Sequence, residues 1–88
     1  KPVVIIGERG ASDGVHAELE RALEDHELIK VKLALPDPEQ RRELTQALCT
    51  QHRAEAVQQV GKVVLLFRAA AKPNPKLSNL QRRLGRNG

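Results

Sequence analysis

Val3-Val4-Ile5-Ile6-Gly7-Glu8-Arg9-Gly10-Ala11-Ser12 reads as a strand, a glycine loop and a helix cap in succession. Four consecutive β-branched residues form the short apolar run that a strand buried on both faces carries. Gly7 and Gly10 bracket two charged residues, Glu8 and Arg9. Ser12 stands where an N-cap belongs, ahead of an amphipathic segment. Such a loop offers backbone N–H groups at the positive end of a helix dipole. Two residues without Cβ let another backbone come close. The stretch is therefore suited to receive an anion, and a phosphate is the expected one.

Beyond the loop, the spacing predicts a helix from Ser12 to about Asp25. Val15, Leu19, Ala22 and Leu23 form its apolar stripe, and Glu18, Glu20, Glu24 and Asp25 face water. Leu28 to Leu35 alternates as a half-buried strand does. Ile29, Val31 and Leu33 take one face, Lys30 and Lys32 the other. Asp37 caps a second helix with Pro38 at its first position and Gln40 completing a capping box. That helix runs to about His52, with Leu44, Ala47 and Leu48 inward. Glu55 to Val60 reads as a third strand and Gly61-Lys62 as a tight connection. Val63 to Arg68 reads as a fourth strand, with Phe67 in the core.

The order β-α-β-α-β-β predicts an α/β chain of the α+β two-layer kind. Its expected form is a four-stranded mixed sheet with both helices on one face and a closing hairpin. Residues 1–71 are expected to make one domain. Lys72-Pro73-Asn74-Pro75 then interrupts any regular element. The segment 72–88 is a basic tail, read as a short helix through Leu77, Leu80 and Leu84 or as disordered. A chain without Met that starts at Lys1 reads as a trimmed piece of a longer one.

Eighty-eight residues suffice for one small domain. No apolar run is long enough to cross a membrane, and no signal peptide is visible. One cysteine, Cys49, excludes an internal disulfide and fits a reducing, cytoplasmic setting. Net charge is +4, unevenly spread. Residues 12–27 hold six acids and one base, whereas 72–88 hold five bases and no acid. Such a polarised domain presents one side to a polyanion and turns the other away.

The loop lacks the Gly-Lys-Ser/Thr of a nucleotide triphosphate site and the third glycine of a dinucleotide fingerprint. In KH domains a GxxG loop clamps a nucleic-acid backbone, although there it joins two helices. Cys49 and His52 sit three apart, but no second pair exists for a closed metal site. His16 and His26 flank the acidic helix without a nucleophile beside them. Phe67 alone does not make an aromatic stacking platform, so nucleic-acid binding would rest on backbone contacts and charge. No catalytic set, cofactor site or metal site is expected.

Three stretches in order resemble one family. They are Lys1-Pro2-Val3-Val4-Ile5-Ile6-Gly7 with its loop, His26-Glu27-Leu28-Ile29-Lys30-Val31-Lys32, and Val60-Gly61-Lys62-Val63-Val64-Leu65-Leu66-Phe67-Arg68. The family is the CRM domain, of chloroplast RNA splicing and ribosome maturation, in its stand-alone bacterial YhbY-like form. The resemblance spans residues 1–68. It implies a fold similar to the C-terminal domain of bacterial translation initiation factor three. It also implies a non-enzymatic, RNA-binding role in assembly of the large ribosomal subunit. The family's loop commonly carries a basic residue where Glu8 stands, and Arg9 keeps one positive charge there. The RNA-contacting residues expected are Gly7, Glu8, Arg9, Gly10, Lys30, Lys32 and Arg68, with ribosomal RNA as partner and no membrane or small-molecule substrate. Two other readings stay open: a protein-interaction module, and a small phosphate-handling enzyme with His16 as its base.

Overall fold

The computed structural model describes residues 3–70. The proposed tail 72–88 lies outside the described residues. Six elements follow one another: β1 (Val3–Ile6), α1 (Asp13–His26), β2 (Leu28–Leu33), α2 (Pro38–His52), β3 (Glu55–Val60) and β4 (Val63–Phe67). The strands lie side by side in the order β1-β2-β4-β3. β1 runs parallel to β2, and β4 is antiparallel to both of its neighbours. This is the expected two-layer α/β architecture with a mixed sheet.

The core joins one sheet face to both helices. Val4, Ile6, Ile29, Val31, Leu33, Val64 and Leu66 pack on Leu19 and Leu23 of α1 and Leu48 of α2. The period-two pattern of the strands meets the helical stripes there, and burial of each such side chain stabilises the fold by about 2 kcal/mol. The helices begin as the sequence suggests. Ser12 Oγ accepts the Val15 N–H at 3.3 Å, and Asp13 lies in the first turn of α1.

Several local expectations are corrected. β1 is an edge strand, and Ile5 is 60% exposed, because among the described residues no helix lies over its outer side. Its apolar run does not mark burial on both faces. β2 ends at Leu33, where the Leu35 N–H turns back to the Leu33 carbonyl at 2.8 Å. Asp37 caps α2 through the N–H of Glu39, one residue earlier than the capping box requires. Ala47 is exposed, and Thr45 takes the inward place with its hydroxyl on the Arg41 carbonyl. Phe67 alternates outward with Val63 and Leu65, since Val64 and Leu66 hold the core face. It is half-buried rather than central.

Candidate nucleic-acid interface

The parallel pairing of β1 and β2 decides where the loop lies. Ile6 pairs with Leu33 and Val60 with Val63, so both parallel strands finish where the β3–β4 turn begins. The Ala34 N–H reaches the Ile6 carbonyl at 2.8 Å, and the Leu33 N–H reaches the Lys62 carbonyl at 2.6 Å. Each helix follows one of these strand ends, so α1 and α2 both start at this end of the sheet. Two positive dipole ends thus share it with the Gly7–Gly10 loop.

The loop is a closed turn: the Gly10 N–H donates to the Gly7 carbonyl at 3.0 Å. Gly10 has φ +79, a conformation that glycine adopts without steric cost. A Cβ placed on either glycine would meet nothing within 4 Å, so the space above both is open. Glu8 and Arg9 are exposed at the tip.

Lys32 is exposed and pairs in register with Ile5, one residue before the end of β1. Lys30 is half-buried, one pleat further from the loop on the same face. The structure adds Lys62, exposed in the β3–β4 turn. Sequence reading saw that turn but not that pairing carries it to Leu33. Other cations at this end are engaged. Arg41 donates to the carbonyls of Leu35 and Pro36 at 2.5 and 3.0 Å, and Arg42 pairs with Glu39 at 3.4 Å.

Arg68 is the site residue that the fold separates from the rest. It follows β4 at the far end of the sheet, and its side chain is 18% exposed. NH1 donates to Glu20 Oε1 at 2.8 Å and to the His52 carbonyl at 3.1 Å; NH2 lies 3.5 Å from a Glu24 oxygen. Its charge is already matched by two carboxylates, so it is no free cation of a basic surface. By the same contacts Glu20 and Glu24 are not merely solvated.

The network continues inward. Glu20 Oε2 accepts from His52 Nδ1 at 2.6 Å, and His52 Nε2 lies 2.8 Å from His16 Nδ1. The Arg68 guanidinium, and then the His52 ring, hold the Glu20 carboxyl below its ordinary range. His52 is buried, and its ring faces Glu20 and His16 rather than sharing a metal with Cys49. Burial pushes the Cys49 thiol up. Among the described residues no three His, Cys, Asp or Glu side chains gather around a metal-sized space. No described helix is long and apolar enough to cross a membrane.

Comparison with known proteins bears on this geometry. The chain is 55% identical over 85 residues to the Probable RNA-binding protein PA4753 of Pseudomonas aeruginosa, covering 97% of this chain and 82% of that protein. It is 40% identical over 76 residues to an RNA-binding protein of Haemophilus influenzae, covering 86% and 77% respectively. The solution structure of SAV1595 from Staphylococcus aureus superposes with a TM-score of 0.73 at 27% identity, over 89% of this chain and 80% of that one. The family model of the CRS1 / YhbY (CRM) domain matches residues 1–68, which include both strand ends, the glycine loop and the β3–β4 turn. The chain therefore belongs to the CRS1/YhbY (CRM) domain family.

Proposed function

We propose that this chain is a non-enzymatic RNA-binding domain that grips an RNA backbone at the loop end of its sheet. The observation that carries the reading is the Gly7–Gly10 turn itself. It is open above both glycines and stands at the capped start of α1 with Arg9 at its tip. A phosphate at this place meets the positive end of the α1 dipole and the exposed Arg9 side chain. Lys32 and Lys62 extend the positive rim, and Lys30 continues it down β2. The names of the relatives, both RNA-binding proteins, support RNA as the partner.

We place the action in the cytoplasm, on ribosomal RNA during assembly of the large subunit, with residues 1–71 as the acting domain. A phosphate-handling enzyme is the weaker reading, because His16, its one candidate base, is held by His52. Crosslinking in cells, followed by sequencing of the bound RNA, tests the proposal. Recovery of large-subunit ribosomal RNA or its precursors is the expected result. Recovery of no RNA overturns the binding reading, and recovery of other RNAs overturns the ribosomal one.

A further inference from the structure

The sheet has a second side, and both helices lie away from it. Its rungs follow from the register. Ile5, Lys32, Val63 and Val60 form one; Lys30, Leu65 and Gln58 the next; Leu28, Phe67 and Glu55 the last. Ile5 is 60% exposed, Val60 66% and Val63 36%, so the first rung is open to solvent. Two lysines stand in the middle of a largely aliphatic face. Among the described residues neither has an ion pair.

We propose that this open face is a platform for unpaired RNA, continuous with the loop: phosphates on Lys30 and Lys32, and bases over the aliphatic rungs and Phe67. The inference rests on the RNA-binding reading and specifies the state of the RNA. Residues two apart on a strand stand about 7 Å apart on one face, so the two ammonium groups meet successive points of an extended anionic chain. The first rung begins at Ile5, one residue from the end of β1, so a strand leaving Gly7–Gly10 reaches Lys32 directly.

The apolar surroundings select single strands. A duplex turns its phosphates outward and hides its base faces, which would set Ile5, Val63 and Leu65 against charge. An unstacked strand offers base faces that apolar and aromatic side chains cover. Other occupants fit less well. A second copy packed face to face would bring four lysines to one seam. The chain's own segment 72–88 holds five bases and no acid, so its charge does not complement Lys30 and Lys32. An acidic, amphipathic protein segment remains as the competitor.

The test uses the whole chain with two fluorescent probes, a short oligouridine and a hairpin duplex of similar charge. Oligouridine is expected to bind more tightly. The double variant Lys30→Ala/Lys32→Ala should weaken oligouridine binding and flatten its salt slope by about 1.4, at roughly 0.7 per lost contact. Phe67→Leu, which keeps apolar volume and removes the ring, should weaken oligouridine about fivefold and leave the hairpin unchanged. Equal binding of both probes, or no effect of Phe67→Leu, overturns the platform while leaving RNA binding in place. Wild-type protein that binds neither probe overturns both readings.

Discussion

His16 Nδ1 and His52 Nε2 face each other at 2.8 Å, with their rings 26° from parallel and their centres 5.0 Å apart. One proton lies on that axis, donated by one ring and accepted by the other. The pair joins the first turns of α1 to the last turn of α2, and Glu20 fixes the far nitrogen of His52. Replacing His52 by Ala removes a buried ring and strands two partners. Its expected cost is about 2–4 kcal/mol, seen as a lower urea midpoint. His16→Ala, at a half-buried position, should cost about 1 kcal/mol. Equal, negligible effects of both would show that the helices do not depend on this tie.

Acid should loosen the same network through Glu20. Its carboxyl is held below the ordinary 4.5, first by Arg68 and then by His52. A depressed folded value means that the stabilisation is present above 4.5 and is lost as pH falls through the folded value. Half of the Glu20 side chain is exposed, so the effect should not exceed about 1 kcal/mol. Urea unfolding at a series of pH values checks this. Wild type and Glu20→Gln should differ near neutrality and converge in acid.

Arg68→Ala should act on stability more than on RNA. Its contacts to Glu20, Glu24 and the His52 carbonyl are internal. A loss of about 1 kcal/mol in unfolding free energy, with the salt slope of RNA binding unchanged, is expected. A slope flattened by one contact would return Arg68 to the interface.

The loop is tested by opposite reversals. Arg9→Glu should weaken RNA binding and Glu8→Lys should tighten it, each by about 1 kcal/mol at low salt and less at high salt. Both residues are exposed, so Tm should move little. Gly10→Ala is a different kind of change: at φ +79 it strains the backbone by about 1 kcal/mol although space for the methyl exists. Unaltered affinity in both charge reversals would reduce the loop to a turn.

Cys49 offers a probe of opening. Burial raises its thiol and keeps the reactive thiolate scarce. Alkylation at neutral pH should be slow in the folded protein and fast in urea. Equal rates would mean that the α2 packing around Cys49 opens readily.

Periodicity carried most of this architecture. Alternation in Ile29-Lys30-Val31-Lys32-Leu33 and the helical spacing of Leu19 and Leu23 depend on nearest neighbours alone, and both match the observed burial. Ile5 and Phe67 depart from the sequence pattern for one reason: apolar character does not say whether a layer covers a strand's outer face. Arg68 and Glu20 lie 48 residues apart, and no local pattern announces such a pairing. Lys62 was legible as a turn residue, yet its place beside Leu33 exists only through register. The loop glycines were readable because backbone geometry at Gly10 is a local demand.

Glu27 fixes where the chain leaves the sheet. Its backbone, at φ 65, ends α1, its carbonyl takes the Arg68 N–H at 2.9 Å, and its carboxylate takes the Ala70 N–H at 2.9 Å. The exit is thereby pinned beside the start of β2, whereas the loop stands beyond that strand's finish. One strand length, about 20 Å for six residues, separates the two poles. Whatever follows Ala70 is tethered at the pole opposite Gly7–Gly10. A polyanion that runs from the loop to Ala70 therefore has to span the length of β2.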